Sequence, residues 1–203
     1  MGYQTMSRRA AAQKSLPYDA EVEYIVSDGN QYIDTGIKVS GNLIVKIKTI
    51  DFFDSVNSGK WAFGGRIAYL NNSYGLYIDS SINNVYYQYG DQIKSCGNFS
   101  TYSLTNYDIE FDNGVLKIGN KQFSLSPRTF AIDHNLFLFA LNNNGNNIAR
   151  TLYKCAGAYI TNGSQTLYLI PVRKNGIGYL YDKISGRLLG DERGYGFGYG
   201  SDI

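Results

Sequence analysis

The sequence predicts an all-β protein, two antiparallel sheets packed as a sandwich, and three observations lead there. Short apolar stretches repeat with a period of two and are cut by Asn, Gly and Asp-Gly turns, while nothing reads as a long amphipathic helix. The composition of the 203 residues, with 19 Tyr, 10 Phe and 23 Gly against 3 Pro, suits strands joined by tight turns. Two segments near the ends are matched: Leu16 to Ile25, continuing to Gln31–Gly36, and Leu169 to Lys174, continuing to Gly178–Asp182. They predict a single domain whose first and last strands lie side by side. A chain of this length encloses a sizeable core without dividing.

Residues 1–15 hold an Ala10–Ala12 run and only Met1, Tyr3 and Met6 as large apolar groups, too few to bury a face. They read as a basic N-terminal arm, disordered or ordered only on a partner, ahead of a sandwich spanning 16–203. Leu43, Val45 and Ile47 alternate with Ile44, Lys46 and Lys48, as in a strand with one buried face. Trp61 to Gly65 reads as a strand ending in a glycine turn. Tyr74, Leu76 and Ile78, then Val85 to Tyr89, predict an antiparallel pair around a turn at Asp79–Asn84. Tyr107, Ile109 and Phe111 face one way and Asp108, Glu110 and Asp112 the other, and Asp112-Asn113-Gly114 supplies the positive φ of a tight hairpin.

Leu136 to Leu141 is apolar on both faces and predicts a central covered strand; periodicity alone leaves a buried helix open, and the short length favours the strand. Asn142–Asn147 reads as a polar loop, followed by strands near 150–160 and 165–171 and a last hairpin turning at Ser185-Gly186. In Gly194–Gly200 glycine alternates with aromatics, which predicts a closing strand with its rings on one face; a flexible aromatic tail is the competing reading.

Charge is uneven. Arg8, Arg9 and Lys14 give residues 1–16 a side-chain charge of +3 with no acid, and removing them from 19 basic residues leaves 16 against 17 acids. The body therefore lacks the basic face of a nucleic-acid-binding domain, and the arm suits an acidic partner. No apolar run approaches the roughly 20 residues that span a bilayer, and the N-terminus lacks the apolar core of a secretory signal. Cys96 and Cys155 are too few for a disulfide framework and lack zinc spacing. They read as buried thiols, with a single bridge as the other option.

Leu16-Pro17 with Val22-Glu23-Tyr24-Ile25, Gln31–Gly36, the middle Phe137–Ala140 and the closing Ile170–Asp182 resemble the concanavalin A-like lectin and glucanase module (LamG-like) carried by phage and surface proteins of gut bacteria. The resemblance covers about residues 16–203. It implies a jelly-roll sandwich, a fold too widely shared to name a function. Such modules usually hang from multidomain chains, whereas here one follows a short basic arm. That combination resembles a phage virion component, assembled in the host cytoplasm: a capsid-decorating or head-fibre subunit that oligomerises and docks through Arg8, Arg9 and Lys14 on the major capsid protein or another virion protein. The alternative is a carbohydrate-binding adhesion module on a phage tail or bacterial surface, recognising host surface glycans.

The sharpest enzymatic signal is Asp108–Glu110–Asp112. Glucanases of the resembled family carry Glu-Asp-Glu at this alternation, and retaining chemistry needs two carboxyls roughly 5 Å apart. The order here is Asp-Glu-Asp, and its third acid opens the hairpin turn, so the expectation is a wet strand face and no enzyme. His134, the single histidine, falls in a predicted turn at 131–135 without a nucleophile motif beside it. The glycines of 194–200 make no phosphate cradle, and the Asn142–Asn147 loop has no acid for calcium, so neither cofactor nor metal is expected. For a glycan the candidates are Trp61, Tyr86, Tyr87 and Tyr89, with Asn83 and Asn84 nearby.

Overall fold

A computed structural model describes residues 16–50, 59–79, 84–98 and 107–203, the Tyr107 side chain excepted. The strands run β1 (Ala20–Glu21), β2 (Ile25–Val26), β3 (Ile33–Ser40), β4 (Ile44–Ile50), β5 (Lys60–Arg66), β6 (Ser73–Asp79), β7 (Asn84–Gly90) and β8 (Gln92–Asn98). They continue with β9 (Tyr107–Asp112), β10 (Val115–Ile118), β11 (Lys121–Ser124), β12 (Ala131–Leu138), β13 (Leu141–Asn143) and β14 (Asn146–Ile148). The last five are β15 (Lys154–Thr161), β16 (Thr166–Lys174), β17 (Ile177–Asp182), β18 (Leu188–Leu189) and β19 (Gly198–Tyr199). No helix occurs among the described residues.

The strands form two facing sheets, the predicted sandwich. The larger runs β11-β10-β9-β4-β15-β16-β17-β18, with β1 beside β16 and β2 between β15 and β19. The smaller runs β14-β13-β5-β6-β7-β8, with β12 joining β3 and β5. Pairing is antiparallel except between β13 and β5, where Asn142 stands opposite Gly65. The matched end segments do lie together: Ala20 pairs with Arg173, and Val22 bridges Asp202. Arg173 clamps the same corner with a bidentate contact to Asp202, Nε–Oδ1 3.0 Å and Nη2–Oδ2 2.7 Å.

The core lies between the sheets. From the larger come Val45, Ile47, Ile109 and Phe111; from the smaller, Phe63, Tyr74, Leu76, Tyr87 and Tyr89. Tyr74 stacks on Phe111 with centroids 4.3 Å apart, and Tyr87 meets the same ring edge-on at 5.4 Å. The hairpin at Asn113-Gly114 is present, with φ of 44° and 78°, and two further Asn-Gly turns, 144–145 and 175–176, share its conformation.

Several sequence expectations are corrected. The strand around Trp61 does not end at its glycines: β5 runs through Gly64 and Gly65, and a Cβ on Gly64 would stand 2.7 Å from Trp61 Cε3. The apolar run 136–141 is not one strand. It breaks at Phe139, whose φ is 65°, because its N–H turns to Ala62 O (2.8 Å) while its ring stacks on Tyr153 at 4.2 Å. The asparagine-rich segment 142–147 is a hairpin, β13–β14, rather than a loop. His134 belongs to β12, its Nε2 2.9 Å from Asn144 Oδ1. In the tail, Gly198–Tyr199 pairs with β2 as a closing strand, yet only Phe197 enters the core; Tyr195 is 63% exposed and Tyr199 38%. The turn predicted between Asp79 and Asn84 falls largely outside the described residues.

Candidate functional site

Side chains alternate along a strand, so the face of the small sheet opposite the core receives the residues between the buried ones. Trp61 on β5, Tyr77 on β6 and Tyr86 on β7 stand in cross-strand register, Trp61 opposite Tyr77 and Tyr77 opposite Tyr86. Their centroids are 5.5 and 6.2 Å apart, giving an aromatic ladder in which Tyr77 and Tyr86 are half-buried and Trp61, 4% exposed, is covered. Trp61 lies flat because Gly64 and Gly75 beneath it have no side chain; a Cβ on Gly75 would stand 3.1 Å from Cζ3 of the indole.

Arg66, at the end of β5, closes one side of the ladder. Its guanidinium carbon is 5.5 Å from the Trp61 ring and 5.8 Å from that of Tyr69, within cation–π range. Its Nε donates to Asn143 Oδ1 at 2.8 Å. Burial pulls the guanidinium below its ordinary pKa, with Tyr69 acting weakly the other way. Gln88 is 2% exposed, and its Oε1 has no hydrogen-bond partner. Together with Asp79 and Ile148 these groups line a cleft of about 610 Å³.

A second groove, of about 350 Å³, crosses the outer face of the large sheet over a floor of Ala156, Gly157 and Ala158. Tyr159 and Tyr168 form one wall; Lys46, Lys48, Asp108 and Glu110 form the other. Glu110 Oε1 takes a contact from Lys46 Nζ at 2.6 Å and Oε2 one from Lys117 Nζ at 3.4 Å. The Lys46 hydrogen bond holds this carboxyl below its ordinary pKa, against a smaller opposing effect of burial. A glycosidase acid needs the reverse, a carboxyl kept protonated near neutral pH. Asp108 and Asp112 are exposed on the same strand face.

Of the four candidate ligand contacts, Tyr86 keeps a half-buried ring beside Tyr77, Trp61 on the other side of Tyr77 is only 4% exposed, and the remaining two are corrected. Tyr87 and Tyr89 are fully buried, since the alternation that turns Tyr86 outward turns them into the core. The Tyr87 hydroxyl donates to Gly114 O at 3.2 Å, and that of Tyr89 is 2.6 Å from Gly41 O. Asn84 Nδ2 donates to the Tyr86 hydroxyl at 3.1 Å; Asn83 lies outside the described residues, as do Arg8, Arg9 and Lys14. Sequence reasoning missed Tyr77, Arg66 and Gln88. Tyr77 had a signal, standing between Leu76 and Ile78 in a strand whose other face was assigned to the core.

The asparagine hairpin spends its amide oxygens on protein donors: Asn142 Oδ1 accepts from Gly145 N, Asn143 Oδ1 from Arg66 and Asn147 Oδ1 from Arg150. Both cysteines are buried and outside any disulfide, their thiols pushed up to about 12 by desolvation. A scan against models of known protein families finds no match, and a search of curated proteins finds none either.

Proposed function

We propose that the protein is a non-enzymatic bacteriophage virion structural protein, a capsid-decorating or head-fibre subunit attached through residues 1–15 and presenting a lectin-like sandwich. The observation that carries this reading is the segregation of charge: +3 in residues 1–16 against −1 in the rest. A short cationic segment ahead of a near-neutral sandwich suits attachment to an acidic shell, the segment ordering as it docks. The Glu110 geometry speaks against a glycosidase proton donor at this position, because a carboxylate held by two lysines has no proton to deliver. The partners on this reading are the major capsid protein or another virion protein and further copies of the chain. Mass spectrometry and cryo-electron microscopy of purified particles test it. Ordered copies whose incorporation fails when residues 1–15 are deleted support the proposal; unchanged incorporation of the truncated chain refutes it.

A second reading, compatible with the first, is a carbohydrate-binding adhesion module. The Trp61–Tyr77–Tyr86 ladder favours it, since the half-buried rings of Tyr77 and Tyr86, lining one cleft with Arg66 and Gln88, suit the apolar face of a pyranose. Retention of the full chain on a glycan array, lost in Tyr77→Ala, is the expected result.

A further inference from the structure

We propose that the cleft outside the small sheet takes a carboxylate-bearing pyranose of an acidic glycan, with Arg66 as the partner of the carboxylate; this rests on the glycan reading above. Three features of one cleft carry the inference. The first is a cation with no acid beside it among the described residues. Arg66 is half-buried, its Nε is occupied by the neutral Asn143 amide, and no Asp or Glu among the described residues makes an ion pair with it. Its terminal amino groups have no hydrogen-bond partner there, which leaves the planar fork that a carboxylate matches in two parallel bonds. Removing a guanidinium from water without an acid beside it is unfavourable, and a bound carboxylate offsets that cost.

The second feature is the platform beside it. Tyr77 and Tyr86 lie next to Trp61 in register, so a sugar ring over them holds its substituent toward the Arg66 end of β5. The third is Gln88, 2% exposed, lining the same cleft with Oε1 unpartnered. Once the amide turns outward into the cleft, a sugar hydroxyl supplies the donor that this acceptor lacks. A neutral glycan would leave the guanidinium uncompensated.

Trp61 is the sole tryptophan, so its fluorescence reads the cleft directly in the full chain. The titrants are trigalacturonic acid and its methyl ester, and sialyllactose and lactose, alongside an array of neutral and acidic glycans. The expected result is that at least one acid form binds roughly tenfold or more tighter than its neutral counterpart, the worth of one charge-assisted pair. Arg66→Gln erases that preference while neutral affinity persists, and Arg66→Lys restores part of it. If Arg66→Gln does not fold by circular dichroism, the acid-to-ester ratio of the natural chain decides. Equal binding of acid and neutral forms, or array retention of neutral glycans alone, overturns the acidic proposal and leaves the glycan reading standing. Retention of no glycan overturns both.

Discussion

Tyr74 shows at the residue scale how a polar tip joins the two sheets. Its ring is buried against Phe111, and its hydroxyl sits 2.8 Å from Leu43 O and 3.0 Å from Phe111 O, two carbonyls sharing one proton. Burial raises the phenol well above its ordinary pKa, so it remains a donor at every physiological pH. Tyr74→Phe keeps the stack and removes the donor; the expected loss is about 1–2 kcal/mol in urea unfolding. A variant as stable as the natural chain would show that the hydroxyl contributes nothing net. The two thiols give a second residue-scale prediction. With desolvation holding Cys96 and Cys155 at about 12, almost no thiolate exists at pH 8, and the thiolate is the reactive form. A chromogenic disulfide reagent should titrate two thiols in denaturant and react with the folded protein only as fast as it opens.

Turns carry the most specific chemistry at the element scale. Asp182 ends β17 and is buried, yet its carboxylate accepts from Tyr168 N (2.9 Å), Ile184 N (3.2 Å), Ser185 N (3.0 Å) and Ser185 Oγ (2.5 Å). Desolvation pushes its pKa up, but the Ser185 hydroxyl and the three backbone donors outweigh it and the net shift is downward. A carboxyl with a depressed folded pKa contributes stability above its unfolded value, near 3.9, and loses it as pH falls through the folded value. Thermal melts from pH 7 to pH 2 should show this loss, and Asp182→Asn, weaker at neutral pH by about 1–3 kcal/mol, should lack that part of the acid dependence. Glu110 is the contrast. Its lysine partners are about half exposed, so Glu110→Gln is expected to cost under about 1 kcal/mol, and a larger drop would mean that the surface pair matters more than screening allows.

For the whole molecule, the sandwich is closed by its own ends. Phe197 packs 4.9 Å from Phe139, and β19 holds β2, which in turn lies beside β15. Truncation before Gly194 removes a core aromatic and the partner of β2 together. The expected cost is at least the ~3–5 kcal/mol of a deleted core phenylalanine, read as a lowered melting temperature and proteolysis near residues 20–26. A truncated chain that melts like the full one would show that the C-terminal segment only decorates the sheet.

What the sequence determined by itself was what strand alternation and turn chemistry encode locally. Leu43-Val45-Ile47, the Asn113-Gly114 hairpin, the inward set Tyr74, Leu76 and Ile78 and the adjacency of the two ends were all legible, because period two and positive φ act over a few residues. The same alternation separates Tyr86 from Tyr87 and Tyr89, and choosing the three by residue type overlooked it. Tertiary structure alone decided the break at Phe139, where the Tyr153 stack and the bond to Ala62 O impose a φ that nothing local predicts. It alone brought Arg66, from one end of β5, beside Tyr69 and above Trp61, and left Gln88 Oε1 buried beneath the cleft. Which polar groups are desolvated, and which find partners, depends on the strands that chain topology sets side by side, and no single strand carries that information.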